Sequence, residues 1–230
     1  MTAVKVRLQD IQQQIRVLCA EAGREPSDVT LVAVSKKHSA EAIEEAYGAG
    51  QRDFGESYVQ EALEKQDLLQ DRCPDIRWHF IGRVQRNKAK LLTAMTLIHG
   101  VGSTGQLKAV AQRAEQHGVT CRVLLQVNQG QEEQKNGFAP SELRAVFDVA
   151  HALRGVAIDG LMTIPPVGQK ADARHCFSGL RELRDSLEQT LDLSLPTLSM
   201  GMSADFQEAI HEGATHIRLG TSVFGARPSE

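Results

Sequence analysis

The sequence predicts an α/β fold of one domain: a closed (β/α)8 barrel of the TIM type with an extra N-terminal helix. Short apolar runs that end in glycine or polar residues alternate with longer amphipathic stretches along the chain. This alternation is typical of βαβ units and a parallel sheet. Eight such runs within 230 residues fit a barrel, which typically needs about 250 residues.

The first segment predicts an amphipathic helix. In residues 1–23, Val6, Ile11, Ile15 and Leu18 recur near helical spacing, but glutamines and charged residues interrupt the apolar face. The segment therefore resembles neither a signal peptide nor a membrane span. A targeting helix is the weaker alternative, and we expect a helix that packs on the barrel.

The predicted strands alternate with the helical stretches along the chain. They are residues 30–36, 51–56, 77–82, 97–102, 121–128, 157–163, 195–200 and 215–220. The predicted helices between them have apolar residues at helical spacing, and they are residues 39–50, 58–69, 86–95, 104–118, 139–153, 172–191 and 204–214.

The end of the chain decides how the barrel is completed. Only residues 220–230 follow the core of the last strand, enough for one or two helical turns, so we expect the N-terminal helix to fill the gap in the outer ring. An open, doubly wound sheet is the alternative, because a strand count does not prove closure. No linker or repeat divides the chain, and we predict a single domain over residues 1–230.

Charge and cysteine content exclude several function classes. With 26 basic and 29 acidic side chains the net charge is −3, which gives no broad attraction to nucleic acid or to acidic membranes. The four cysteines lie far apart and form no C-x-x-C pair: Cys19, Cys73, Cys121 and Cys176. The sequence also has no cluster of His, Asp or Glu at the spacing of metal ligands. We therefore expect no metal, reduced thiols, a cytoplasmic location and, since no amphipathic surface stands out, a monomer.

Lys36 lies at the carboxyl end of the first predicted strand, just before a helix start. In parallel α/β proteins this end of the sheet hosts the chemistry. A lysine among apolar neighbours needs a partner or a suppressed charge, and the neutral amine is a nucleophile. A solvated side chain is the ordinary alternative, and we assign that role to the adjacent Lys37.

Two loops near the carboxyl terminus combine a glycine with a hydroxyl. Gly201 and Ser203 follow the seventh strand, and Gly220 and Thr221 follow the eighth. Loops at these positions of barrels often bind phosphate. Helix capping by Ser203 or a simple turn at Gly220 explains either loop alone, but two adjacent loops favour phosphate. An amine beside a phosphate cup suggests a phosphorylated aldehyde as the ligand.

Arg218 is predicted to point into the barrel. On the last strand Ile217 and Leu219 share one face, while His216, Arg218 and Gly220 share the other. If helices cover the apolar pair, the guanidinium faces inward, where it requires an acceptor. A structural carboxylate and a bound ligand are equally good candidates for that acceptor.

Three further polar residues have open interpretations. Lys135, in the loop after the fifth strand, is either a second amine at the barrel mouth or a solvated side chain. Asn87 either begins or stabilises a helix, or it contacts the mouth. His79 has inward parity on the third strand, and we expect a hydrogen-bonded core histidine rather than a catalyst.

These residues resemble the pyridoxal phosphate homeostasis proteins, also called YggS- or PROSC-like proteins. The likeness runs in order from the first strand to the carboxyl terminus, in AVSK with Lys36, FGE at 54–56, YVQE at 58–61, WHFIG at 78–82, Gln85, Asn87, Lys88, QVN at 126–128, Lys135, Gly137, LSMGMSAD at 198–205, RLGT at 218–221 and Phe224-Gly225. It implies a barrel similar to the N-terminal domain of alanine racemase, with pyridoxal 5'-phosphate held as an aldimine on Lys36. It also implies phosphate contacts from Ser203, Gly220 and Thr221, and Arg218 facing the pyridine nitrogen.

The chain departs from the family pattern at three places. Ser57 stands where asparagine is usual, Gly102 replaces an acidic residue, and no proline follows the pair Lys36-Lys37. None of these changes removes the amine or the phosphate loops.

The resemblance implies a carrier rather than an enzyme. An arginine opposite the pyridine nitrogen disfavours its protonation and weakens the electron sink. Racemases of this type add a second domain with a catalytic tyrosine, whereas here the only tyrosines, Tyr47 and Tyr58, lie in early helical segments. We expect reversible binding that contributes to vitamin B6 homeostasis, with apoenzymes dependent on this cofactor as recipients. A single-domain racemase or lyase and a barrel that binds a nucleotide or sugar phosphate are the alternatives.

Overall fold

Eight parallel strands form a closed barrel in the computed structural model, which describes residues 2–130, 136–166 and 170–226. The strands are β1 Thr30–Val34, β2 Asp53–Glu56, β3 Arg77–Phe80, β4 Leu97–Val101, β5 Cys121–Gln126, β6 Val156–Met162, β7 Thr197–Ser199 and β8 His216–Leu219. Each strand pairs with the next along the chain, and β8 pairs with β1. Closure is thus confirmed, and the open sheet is excluded.

Helices surround the barrel on the outside. They are α1 Ala3–Glu21, α2 Ala40–Gly48, α3 Val59–Leu69, α4 Thr104–Gln116, α5 Leu143–His151, α6 Lys170–Leu191, α7 Phe206–His211 and α8 Thr221–Phe224. Because α8 has only four residues, the outer ring is short at that point. The N-terminal helix α1 packs against α7, α8 and α2 and covers the gap, as predicted.

Two predicted helices differ from the structure in type. Residues 86–95 were expected to be α-helical, but Arg86–Ala94 form a 3-10 helix. The stretch 139–153 begins with a short 3-10 helix, Pro140–Glu142, before α5. Apolar spacing indicates which face is buried, but it does not distinguish helices that differ only in hydrogen-bond pattern.

The main core lies between the strands and the outer helices. Ile217 and Leu219 on β8 are fully buried there, as the alternation predicted, and burying such a side chain contributes about 1.5–3 kcal/mol. A smaller apolar cluster of Leu97, Leu124 and Met162 forms separately from this core. The four cysteines are buried, and none of them forms a disulfide bond. In the described part of the chain, no helix combines the length and apolarity needed to cross a bilayer.

Candidate functional site

A pocket of about 340 Å³ opens at the carboxyl end of the barrel, where parallel-strand proteins place their sites. Polar groups come from β8 and from the turns after β1, β2, β7 and β8, and apolar side chains form the remaining walls. Its described lining residues are Val34, Lys36, His38, Ser57, Ile81, Ile164, Met202, Ser203, Ala204, Arg218, Gly220 and Thr221.

The turn after β1 presents Lys36 to this pocket. Its side chain is half-buried, while Lys37 is exposed and has a φ of +62°. The Lys37 backbone N–H donates to Glu61 Oε1 at 2.5 Å, and Ser39 caps α2 by accepting from the Ala42 amide. The sharp reversal therefore separates the two lysines, with only Lys36 lining the pocket.

A buried cluster of charged side chains contacts the turn that carries Lys36. Lys65 Nζ donates to the Ser35 carbonyl, to Glu56 Oε1 and to Glu61 Oε1, each at 2.7 Å. Ser35 Oγ donates to the same Glu56 oxygen at 2.7 Å. Burial raises the pKa of Glu56 against the opposing effect of the Lys65 charge. The ammonium of Lys65 thus ties together β1, β2 and α3 next to the turn that carries Lys36.

The turn after β7 requires a glycine for steric reasons. Gly201 has a φ of +89°, and a Cβ there would lie 2.5 Å from the Cβ of Ala209. Asp205 Oδ1 accepts from the Met202 amide at 2.6 Å, and α7 starts at Phe206. The residue at the N-cap of α7 is thus Asp205 and not Ser203, whose side chain is exposed in the turn.

In the turn after β8, neither packing nor backbone conformation requires a glycine at position 220. A Cβ at Gly220 would meet the Val34 carbonyl oxygen at 3.4 Å, an ordinary contact, and φ is negative. Gly220 lines the pocket and precedes α8, and the first amides of a helix lack acceptors within it. An open backbone here allows close approach by an anionic group.

Arg218 lies in the barrel interior at the base of the pocket. Nη1 donates to Ser199 Oγ at 2.7 Å and Nη2 donates to the Thr163 carbonyl at 3.0 Å. Its acceptors are thus a hydroxyl and a carbonyl rather than the structural carboxylate considered as one alternative. Burial lowers the pKa of Arg218 to about 10, against the effect of Asp205, so the guanidinium is cationic at neutral pH.

Five of the sequence-predicted site residues converge on this one pocket: Lys36, Ser203, Arg218, Gly220 and Thr221. Asn87 is exposed near the start of the 3-10 helix and is not among the described lining residues. Lys135 lies outside the described residues. His79 is the buried, hydrogen-bonded core histidine that strand parity predicted.

The two substituted family positions have different surroundings. Ser57 lines the pocket, so its shorter side chain changes the pocket wall. Gly102 is buried, and a Cβ there would lie 2.6 Å from Asn136 Nδ2. Its amide donates to Gln106 Oε1 at 2.7 Å. The glycine therefore makes room for the loop that follows β5.

Sequence reasoning missed several residues that shape the site. His38 lines the pocket and stacks on Phe224 with ring centroids 4.9 Å apart, which links the β1 turn to α8. Lys65 was not singled out either. The spacing of Glu61 and Lys65 on one helix face was the available signal, but the pairing with Glu56 depends on the tertiary fold.

Comparisons with known proteins agree with this geometry. The family model "Alanine racemase, N-terminal domain" matches residues 6–228. Proteins named pyridoxal phosphate homeostasis protein from Aquifex aeolicus and Pseudomonas aeruginosa are each 42% identical, over 96% and 99% of this chain and 97% of each relative. The solved structure of PipY from Synechococcus elongatus with PLP bound is 40% identical, with a TM-score of 0.85 over 96% of this chain and 100% of that chain. This chain belongs to the family of the pyridoxal phosphate homeostasis proteins.

Proposed function

We propose that the chain binds pyridoxal 5'-phosphate reversibly in the pocket at Lys36 and contributes to vitamin B6 homeostasis. The observation that carries this proposal is the convergence on one pocket of an amine, a guanidinium and two hydroxyl-bearing turns, one of them open at Gly220. The PLP-bound structure of PipY, at 40% identity, supports the same ligand.

The residues present fit each part of this ligand. Ser203 and Thr221 offer hydroxyl donors to the phosphate, and Gly220 leaves room for its oxygens to approach the backbone. The apolar walls suit a flat aromatic ring. Arg218 offers N–H donors to the pyridine nitrogen and opposes its protonation, because two positive charges would then meet.

Lys36 is the proposed site of covalent attachment. Its neutral amine attacks the aldehyde carbon, the new C=N bond replaces the C=O bond, and the oxygen leaves as water. Addition of water reverses the step and releases the aldehyde. A covalent but hydrolysable bond suits a carrier, since free aldehyde reacts with other amines while a carrier must still release it.

A binding role is favoured over amino-acid chemistry by the side chains around the pocket. Neither tyrosine of the chain lines it: Tyr47 is bonded to Asp75, and Tyr58 is 55% exposed. Among the described lining residues, His38 is the side chain best suited to a second proton transfer. His38 is therefore the residue on which the alternative, a weak racemase or lyase, would depend.

The first test is the visible spectrum of purified protein after addition of pyridoxal phosphate. Wild-type protein should become yellow and retain the cofactor through gel filtration, whereas Lys36→Ala should lose the aldimine absorbance and keep its fold. Lys37→Asn is the matched control, because asparagine tolerates the positive φ at this position, and it should behave like wild type. A wild-type protein that stays colourless would favour binding of another phosphorylated ligand.

The second test separates carrier from enzyme. Cofactor-loaded protein is incubated with each amino acid in deuterated water, and exchange at the α-carbon is followed by proton NMR. The carrier proposal predicts no exchange above that of free cofactor. Exchange that disappears in His38→Gln would establish the racemase or lyase alternative.

The proposal extends to the cellular role. We propose a cytoplasmic, monomeric carrier whose recipients are apoenzymes that use the same cofactor, with Lys135 assisting transfer by exchanging the linkage. Cofactor release from Lys135→Ala and wild-type protein to an apoenzyme tests this step: equal release rates would remove Lys135 from it.

A further inference from the structure

A continuous line of hydrogen-bonded side chains crosses the inside of the barrel beneath Arg218. Ser199 Oγ lies 2.7 Å from Arg218 Nη1 and 2.7 Å from His99 Nδ1. His99 Nε2 lies 3.0 Å from His79 Nδ1, and His79 Nε2 lies 3.0 Å from Asp53 Oδ1. The four side chains Asp53, His79, His99 and Ser199, here called the relay, connect the pocket to the amino-terminal end of β2.

The two ends of the relay fix the direction of its hydrogen bonds. Arg218 carries only donors, so Ser199 Oγ must accept from it. At the other end Asp53 is an acceptor, because burial is outweighed by hydrogen bonds from His79 and Arg77 that lower its pKa to about 2. Arg77 binds the Asp53 carboxylate through both Nε and Nη2, at 2.7 and 2.5 Å.

One arrangement of protons satisfies every member without adding charge. Ser199 donates its single O–H to His99 Nδ1, His99 donates from Nε2 to His79 Nδ1, and His79 donates from Nε2 to Asp53. Each ring is then neutral and each described polar contact has one donor and one acceptor. Both rings are buried, at 2% and 0% exposure, which disfavours any additional charge.

The reverse arrangement is less favourable. If His99 donated from Nδ1 to Ser199, the Ser199 hydroxyl hydrogen would lose its acceptor, since the described residues give that oxygen only two partners. His79 would also need a second proton to keep its bond to Asp53. A buried cation would then lie next to His99 and His216, whose ring centroids are 5.2 and 5.9 Å away, and it would share the Asp53 carboxylate with the Arg77 guanidinium.

We propose that the relay is a one-way chain of hydrogen bonds in which both histidine rings are neutral, and that it positions Arg218 as a donor at the base of the pocket. The side chains of Asp53, His79, His99 and Ser199 are positioning residues, since only Arg218 lines the pocket. Polarisation along the chain strengthens Ser199 as the acceptor for Arg218. The consequence for the cofactor ring rests on the proposed function, whereas the proton positions do not.

The proton positions are tested on cofactor-free wild-type protein. Long-range proton–nitrogen NMR spectra of protein labelled with nitrogen-15 histidine distinguish protonated from bare ring nitrogens. We expect His79 and His99 both to carry a proton on Nε2 alone at neutral pH. A proton on His99 Nδ1, or two protons on His79, would overturn the proposal. Signals are assigned from His79→Gln and His99→Gln or, if either fails to fold, from through-space contacts of the ring protons.

The positioning role is tested in the loaded protein with Ser199→Ala and Ser199→Thr. Without the hydroxyl, Arg218 keeps its bond to the Thr163 carbonyl but loses the acceptor of Nη1, so it is held less firmly and opposes protonation of the pyridine nitrogen less. The visible spectrum of Ser199→Ala should therefore change with pH at a higher pH than in wild type, and Ser199→Thr should restore the wild-type profile. Identical profiles in all three proteins would refute the positioning role. Failure of wild type to bind the cofactor would instead refute the proposed function. The NMR result would still show whether the ring protons of the relay lie where we propose.

Discussion

At the scale of single residues, the site depends on two lysines that the chain places side by side and the fold separates. The reversal at Lys37, with its φ of +62°, turns that side chain to solvent and leaves Lys36 in the pocket. The carbonyl of Ser35, held by Lys65 at 2.7 Å, restrains the same turn. Selectivity for one amine therefore comes from the backbone of the turn rather than from the type of side chain.

The hydroxyls of Ser203 and Thr221 provide a prediction at this scale. Ser203→Ala and Thr221→Ala should each weaken binding of pyridoxal phosphate by about 1–3 kcal/mol, or roughly 5- to 150-fold in Kd, because each loses a charge-assisted hydrogen bond to phosphate. Affinity is measured by titration of the visible absorbance. Pyridoxal, which lacks the phosphate, is the control ligand, and its affinity should be unchanged. Equal losses for both ligands would place these hydroxyls elsewhere than at the phosphate.

At the scale of elements, the turn between β7 and α7, which carries Ser203, depends on one glycine, Gly201. The backbone carbonyl of Gly201 accepts from the Arg218 amide at 2.9 Å, so the turn after β7 is tied directly to β8. Gly201 has both a positive φ and a close neighbour in Ala209. Backbone conformation and space therefore both require glycine there.

A pair of glycine substitutions separates these two requirements. Gly201→Ala should lower the free energy of unfolding by about 2–5 kcal/mol, from backbone strain and overpacking together. Gly118→Ala is the control, because Gly118 has a φ of +67° but no atom within 4 Å of the added Cβ. This substitution should lower the free energy of unfolding by about 1–2 kcal/mol, from backbone strain alone. Urea unfolding measures both values. Equal losses would mean that the contact with Ala209 is relieved at no cost.

The positions of the strands and helices were largely predictable from the sequence, whereas contacts between side chains on distant strands were not. Strands such as β1 and β5 were located because buried parallel strands are continuous apolar runs, whereas the polar β2 was located by its place between two helical patterns. The inward direction of Arg218 followed from the alternation on β8. The relay was not predictable, because its members lie on β2, β3, β4 and β7, and which side chains meet across a barrel depends on strand stagger. His99 and Ser199 are 100 residues apart in sequence.

At the scale of the whole molecule, the barrel interior holds three neighbouring histidines, His79, His99 and His216. Of these, His79 is the one with a described hydrogen bond to a carboxylate, that of Asp53. Burial lowers the pKa of His216 to about 4, and burial also holds the pKa of His99 well below its usual value of 6.5. The ring of His216 lies 5.9 Å from His79 and 6.0 Å from His99 between centroids. Proton uptake by His216 or His99 therefore opposes folding.

The stability of the protein should accordingly decrease in acid. Below about pH 6.5 the unfolded chain binds protons at His216 and His99 that the folded barrel does not, so the free energy of unfolding falls as the pH approaches 4. His216 alone accounts for about 3 kcal/mol of this loss. Urea unfolding between pH 7 and pH 4 measures it.

Two variants make the pH test specific. His216→Asn should flatten the decrease, whereas His117→Gln, which changes an exposed histidine after α4, should leave it as in wild type. Below pH 4, Asp53 adds a second loss, because its pKa of about 2 in the folded state lies below the usual value of 3.8. An unfolding free energy that is constant from pH 7 to pH 4 would contradict the account of the barrel interior.

The central claim is that Lys36 is the amine that holds the cofactor. The most direct measurement is reduction of the loaded wild-type protein with borohydride, which makes the linkage permanent, followed by protease digestion and mass spectrometry of the labelled peptide. The account predicts one modified lysine, Lys36, at close to one label per chain. A label at Lys135 or at any other lysine, with Lys36 unmodified, would contradict it.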